Sequence, residues 1–207
     1  EVTLPAKPGA FGKVTVTVTL PSGKSAALAD AFSYYASNVS FAAPAGYAVG
    51  GDPVGLELAD LNGDKQPDAV VTNSGSDTIS VLLGKAGGGF EMATSAAVAA
   101  QPMAVRSVDL NGDKKLDLVV ACAYDSAVSV LIGKGDGTFA AATKVSVAAN
   151  PQAILVGDFT GDGKMDVVTA SYDSTARIWD AATGKELRQL AGHTASVDAA
   201  ASSPDGK

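Results

Sequence analysis

The sequence predicts an all-β protein assembled from repeated four-stranded units, and three observations predict it. An Asp-rich nine-residue pattern occurs three times at an offset of 49 residues, as Asp60–Asp68, Asp109–Asp117 and Asp158–Asp166. Phe41, Phe90 and Phe139 keep the same offset, as do Pro53, Pro102 and Pro151. Between these landmarks, short β-rich runs alternate with turn residues. A fixed period of roughly 20–50 residues marks a solenoid, a propeller or an array. Four antiparallel strands in each unit of that length make a β-propeller blade, so the expected fold is an incomplete β-propeller of about three four-stranded blades. A generic all-β sandwich is the competing reading, because regular short strands alone would also fit it.

The chain opens differently from its repeats. Lys13-Val-Thr-Val-Thr-Val-Thr-Leu20 alternates for eight residues, Pro21-Ser-Gly-Lys24 is a turn, and Ala31-Phe-Ser-Tyr-Tyr35 is a further strand. Alternation with period two is the pattern of a half-buried strand. These strands resemble the last strands of an immunoglobulin-like IPT/TIG domain. Residues 1–36 are assigned to that Ig-like remnant and 37–40 to a linker. The linker region includes Asn38-Val-Ser40, a sequon that also arises by chance. The first residue is Glu1 and the last five, Ser203-Pro-Asp-Gly-Lys207, form a turn pattern, so the sequence is expected to be a piece of a longer protein.

The three repeats are framed as residues 41–89, 90–138 and 139–187, with 188–207 as the start of a further, truncated blade. The second repeat shows the expected cycle. Met103–Asp109 alternates and reads as a strand. The Asp-rich loop follows. Leu118-Val-Val-Ala-Cys-Ala123 is a continuous β-rich run, as in a strand buried on both faces. Tyr124–Ala127 turns into Val128–Gly133, the third strand. Gly135-Asp-Gly-Thr138 is a hairpin turn, and Phe139 is expected to open the fourth strand. Abundant Ala, Val and Gly let radially arranged sheets approach one another near an axis.

Composition narrows the function. Of 207 residues, 38 are Ala, so the 46% hydrophobic content contains few large side chains. The 15 Lys and Arg against 22 Asp and Glu give a net charge of −7, which argues against a nucleic-acid footprint and against docking on an anionic membrane. No uninterrupted apolar run is long enough to span a membrane, and residues 1–12 lack the basic start and apolar core of a secretory leader. The single Cys, Cys122, excludes an intrachain disulfide and a Cys-cluster metal site. The single His, His193, argues against a His-based zinc site or a Ser-His-Asp triad. Cys122 reads as core filling, Trp179 as blade packing and Tyr34-Tyr35 as ordinary strand residues. No catalytic residue is assigned.

The acid is concentrated. Eighteen of the 22 acidic residues are Asp, and nine of those lie in the three loops. Each loop places carboxylates at positions 1, 5 and 9, Asn or Thr at position 3, and Gly at position 4, where a sharp turn is permitted. Side chains 1, 3 and 5 can converge as such a chain wraps, with a main-chain carbonyl near position 7. Hard oxygen donors in that number suit Ca²⁺ better than Mg²⁺, which demands tighter octahedral geometry. An EF-hand is excluded, because position 12 is Val71, Val120 or Thr169 instead of a bidentate Glu. Asn-Gly-Asp is also ordinary hairpin chemistry. A hairpin, however, does not need three mutually repelling carboxylates in nine residues.

Asp-x-Asn-Gly-Asp-x-x-x-Asp followed by an apolar strand, together with Leu131-Ile-Gly-Lys-Gly-Asp-Gly-Thr-Phe139, resembles the FG-GAP (VCBS) repeats of integrin-α-like propellers. The resemblance covers residues 41–166. It implies up to three Ca²⁺ ions in an extracellular or cell-surface module that binds a protein or glycan. Carried over by position, the ligands are Asp60, Asn62, Asp64 and Asp68; Asp109, Asn111, Asp113 and Asp117; and Asp158, Thr160, Asp162 and Asp166. Gln66, Lys115 and Lys164 supply main-chain oxygens. The third site is expected to be weaker, because Thr160 offers only a neutral hydroxyl.

The third repeat then changes character. Val168-Thr-Ala-Ser-Tyr-Asp-Ser-Thr-Ala-Arg-Ile-Trp-Asp180, then Gly192-His193 and Ser203–Lys207, resemble WD repeats. Ser171, Asp173 and Trp179 match three members of the hydrogen-bonded network of that family, and His193 would serve the next blade. The leading functional reading is a calcium-stabilised, non-enzymatic binding module. A metal-independent WD-type scaffold is the second reading and a propeller-enzyme fragment the third. An arc of about three blades leaves open edges, which invite self-association.

Overall fold

The computed structural model describes residues 12–19, 25–34 and 45–201, and it divides into two compact units, residues 1–45 and 46–207. In the first unit, β1 (Gly12–Thr19) and β2 (Ser25–Tyr34) form an antiparallel pair with a register shift between Val14 and Val16. β2 is longer than the strand expected over Ala31–Tyr35. The expected linker at 37–40 and Phe41 lie outside the described residues.

The second unit is all β. Its first sheet runs β3 (Pro53–Ala59), β4 (Asp68–Asn73), β5 (Thr78–Leu82) and β6 (Thr94–Ala97). The second runs β7 (Pro102–Val108), β8 (Asp117–Cys122), β9 (Ala127–Leu131) and β10 (Thr143–Ser146). The third runs β11 (Pro151–Gly157), β12 (Asp166–Ser171), β13 (Ala176–Asp180) and β14 (Glu186–Leu190). Each sheet is a four-stranded antiparallel meander in chain order, and among the described residues there is no helix. The architecture is that of an incomplete β-propeller of about three blades.

Every four-stranded sheet begins at one of the three periodic prolines. The frame set at Phe41, Phe90 and Phe139 therefore differs in phase from the sheets: its boundaries fall between β5 and β6, between β9 and β10, and inside β14. Phe139 does not open β10. It makes an isolated bridge to Gly133, as Phe90 does to Gly84, and the strand proper starts at Thr143. A repeat fixes a period, and hydrogen bonding fixes where each sheet starts.

The first strands of the three sheets are neighbours, with β7 against both β3 and β11. Gly55 is required here, because a Cβ on it would collide with the Met103 carbonyl of β7 and the Thr72 hydroxyl. The core lies between the sheets. Val70, Ile79 and Val81 of the first sheet pack on Val105, Leu118, Val120, Cys122 and Leu131 of the second. Val119, Ala121 and Val128 then pack from the other face of the second sheet on Ile154, Val167 and Trp179 of the third. β8 is buried along its whole length, which is why its sequence is continuously apolar from Leu118 onward. Cys122 is fully buried, and burial pushes its thiol pKa up, so it stays neutral core filling.

Candidate metal centre

Each Asp-rich loop joins the first two strands of its sheet, and its conformation follows from its own side chains. Asp60 Oδ1 accepts hydrogen bonds from the Gly63 and Asp64 amides at 2.8 and 3.1 Å, and its Oδ2 accepts one from Lys65 at 2.8 Å. Asn62 Oδ1 accepts from the Asp64 amide and Asp64 Oδ1 from the Gln66 amide, at 3.0 and 2.7 Å. The second loop repeats this with Asp109 holding Gly112 and Lys114, Asn111 holding Asp113, and Asp113 holding Lys115. In the third, Asp158 holds Gly161, Asp162 and Gly163, and Asp162 holds Lys164. Asp and Asn suit this work because their short side chains reach a backbone amide two or more residues ahead.

The wrap requires left-handed backbone twice in each loop. Position 4 has φ of 80°, 79° and 77° at Gly63, Gly112 and Gly161. Position 6 has φ of 67° at Lys65, 66° at Lys114 and 81° at Gly163. Only the third loop has glycine at both positions, and a lysine in this region is strained.

Position 9 behaves differently from the rest. Asp68, Asp117 and Asp166 are buried, at 0%, 0% and 2% exposure, while positions 1 and 5 stay half-buried or exposed. Asp117 Oδ2 accepts from the Leu110 amide at 3.0 Å and its Oδ1 from the Gly133 amide at 2.8 Å. Asp68 does the same with Leu61 and Gly84, at 2.8 and 2.7 Å. One carboxylate thus ties the loop to the turn that follows the third strand. Gly84 and Gly133 must be glycine, because a Cβ there would run into the Pro67 or Leu116 carbonyl. Asp166 lacks the second tie. Its Oδ2 takes both the Phe159 and Thr160 amides at 3.0 Å, and the Ala181 amide donates instead to the Met165 carbonyl at 3.3 Å.

In the third loop, the Gly163 amide, followed by those of Gly161, Asp162 and Thr160, holds the Asp158 carboxyl below its ordinary pKa against an opposing desolvation. Among the described residues, no three His, Cys, Asp or Glu side chains stand close enough together to hold a metal. The loops bring positions 1, 3 and 5 around one turn, with Asn62 Nδ2 3.1 Å from Asp64 Oδ2, whereas position 9 is turned inward onto amides. The donor set nevertheless fits a hard divalent cation. Every assigned side chain carries oxygen, and although Asp60 Oδ1 and Asp158 Oδ1 each accept two amides, the oxygens that accept one, such as Asp60 Oδ2, Asp64 Oδ1 and Asp158 Oδ2, keep a second lone pair.

The FG-GAP-like repeat family matches residues 60–120 and 109–169, which together span more than half of the chain. The chain belongs to the FG-GAP-like repeat family. No curated protein matches it. Among solved structures it is similar to BBS1N in complex with ARL6DN, soaked with mercury, at 11% identity and TM-score 0.52, covering 71% of this chain and 46% of that one. The lead-soaked form of that complex gives 13%, 0.49, 74% and 46% for the same four quantities. A protein of unknown function from Bacteroides caccae gives 12%, 0.46, 86% and 54%. The chain therefore spans about half the length of the solved structures it resembles.

Within this FG-GAP-like chain the three residues matched to the WD network are not bonded to one another. Trp179 Nε1 donates to Thr169 Oγ1 at 2.9 Å, Ser171 Oγ donates to the Ala149 carbonyl, and Asp173 accepts from Thr175 and Arg177. Thr169, at position 12 of the third loop pattern, is thus a structural partner of Trp179. Thr169 pairs with Arg177 across the ladder and Trp179 with Val167, so the bond runs diagonally between β12 and β13, a relation that residue spacing alone does not signal.

Proposed function

We propose that the chain is a calcium-stabilised, non-enzymatic interaction module. Its FG-GAP-like loops bind up to three Ca²⁺ ions, and the blades present a surface to a protein partner in an extracellular or cell-surface setting. The observation that carries this reading is the threefold recurrence of one acid-rich loop at one place in the blade, with positions 1, 3 and 5 drawn around a single turn. Bound calcium would neutralise the crowded carboxylates and convert binding energy into folding energy. Asp60, Asp64, Asn62 and their counterparts would hold the ion. The buried position-9 carboxylates would link it to the sheet.

Side-chain chemistry supports the non-enzymatic part. Cys122 is buried, and His193 lies exposed in the segment after β14. A cleft of about 560 Å³ between the first and second sheets is lined by Ala96, Val98, Leu131, Phe139 and Ala142, with Lys144 its one ionisable group. BBS1N, a solved neighbour, is seen in complex with ARL6DN, which supports a protein over a glycan as the ligand class.

The variant that tests the metal role is Asp113→Ala. It should lower the melting temperature in Ca²⁺ and change it little in chelator. An equal loss in both conditions would reduce that loop to a turn and leave the metal-independent scaffold as the better account.

A further inference from the structure

The repeat allows one position to be compared across three sheets. Leu56, Val105 and Ile154 are equivalent, each lying opposite its neighbour in the second strand as Leu56↔Val71, Val105↔Val120 and Ile154↔Thr169. Val105 and Ile154 are each 1% exposed. Aliphatics of the preceding sheet cover them, namely Val70, Ile79 and Val81 for Val105, and Val119, Ala121 and Val128 for Ile154. Leu56 is 61% exposed and Leu58, on the same face of β3, is 58% exposed; Val54, within the register shift that precedes Leu56, is 53% exposed. Leu56 and Leu58 form the aliphatic part of a face shaped for a blade, and the two internal interfaces show what such a face takes.

The third sheet carries the complementary residues. In the first two sheets the covering positions pair across strands two and three as Val70↔Val81 with Thr72↔Ile79, and as Val119↔Val130 with Ala121↔Val128. Their counterparts are Val168↔Ile178 and Ala170↔Ala176. Val168, Ala170 and Ile178 are 7%, 0% and 9% exposed although no described sheet follows them. The segment after β14 turns back onto this sheet without regular structure. The Val197 amide donates to the Ser171 carbonyl at 3.0 Å, and Ser196 and Val197 are half-buried.

We propose that the β3 face is the docking site for a second copy of this chain, which presents its third sheet once residues 191–201 are displaced. The contact repeats the head-to-tail relation already used between the first and second sheets and between the second and third. A head-to-tail contact forms a ring when its rotation closes. Two three-bladed arcs joined twice in this way make a six-bladed ring, within the roughly 4–8 blades of complete propellers. The segment 191–201 competes with the partner for the same aliphatic surface.

Sedimentation of the full chain over a concentration series tests this. The expected species is a closed dimer of twice the 20.5 kDa chain mass. Removing residues 191–207 should shift its formation to at least tenfold lower concentration, and Leu56→Glu, an exposed position that tolerates charge in the monomer, should abolish it in both backgrounds. A Leu56→Cys variant separates the geometries, because a head-to-tail ring keeps the two Leu56 positions apart. Efficient oxidative crosslinking between them would overturn the proposal. So would a truncated chain that stays monomeric, a dimer that survives Leu56→Glu, or open-ended oligomers without a dimer plateau.

Discussion

In the second sheet Asp117 spans two elements, whereas in the third its counterpart Asp166 serves one. Asp117 spends one oxygen on the loop and the other on Gly133. Asp166 places both loop amides on a single oxygen, and the turn after β13 is held instead by the Ala181 amide on the Met165 carbonyl. The cause lies in register. Leu118 pairs with Leu131, while Val167 pairs with Trp179, so the third sheet closes its second hairpin with one residue fewer. That shift exchanges the glycine tether for a tryptophan that packs against the second sheet and bonds Thr169. One blade architecture thus accepts two ways of fastening its second and third strands, with the Asp loop itself almost unchanged.

The largest effect should come from the tryptophan. Trp179→Ala removes a ring that is 8% exposed and should cost about 3–5 kcal/mol, read by denaturant unfolding. A cost under about 1 kcal/mol would mean that the third sheet is not fastened through this ring.

The two buried aspartates give the sharper contrast. Asp117→Asn leaves only one acceptor for two amides on different elements and should cost about 1–3 kcal/mol. Asp166→Asn keeps the one oxygen that both amides use and should cost well under that. Equal losses would show that the two carboxylates act alike.

Smaller again is the strain at position 6. Lys114→Gly supplies in the second loop what Gly163 already supplies in the third. It should stabilise the protein by up to about 1 kcal/mol, the cost of a left-handed non-glycine residue. The same change at a position of negative φ would destabilise.

The smallest effect concerns acid. Asp125 forms an ion pair with Lys144 at 2.8 Å and accepts from the Ala100 amide, and these partners, Lys144 first, hold its pKa down. A carboxyl depressed in the folded state stabilises above its unfolded pKa and loses that contribution as pH falls through the folded one. The melting difference between wild type and Asp125→Asn should therefore be present at pH 7 and fade in acid below the ordinary carboxylate range. In the third sheet Asp173 turns to Arg177 of its own sheet. Asp173→Asn should therefore leave the link between the Ala100 connector and Asp125 intact.

Much of this was legible in the residues. The three Asp loops, the continuous apolar run from Leu118 and the hairpin glycines place the first three strands of the second sheet within a residue or two, whereas the fourth begins at Thr143 and not at Phe139. The phase of the repeat was not legible, because a periodic string can be cut anywhere and only the β3–β6 type of pairing shows that Pro53, Pro102 and Pro151 begin each sheet. The double duty of Asp68 and Asp117 was also hidden. It depends on Gly84 and Gly133, which are 16 residues further along and meet the carboxylate only after the third strand has folded back. Thr169 escaped notice for the same reason, since its partner Trp179 is reached across β12 and β13.

The central claim is that these loops bind calcium and that binding stabilises the blades. Calorimetric titration of the chain with Ca²⁺, paired with melting curves in Ca²⁺ and in chelator, tests it most directly. The account predicts two sites of similar affinity, a third and weaker site at Asp158–Asp166, and a large rise in melting temperature with the metal. No heat of binding and superimposable melting curves would contradict it.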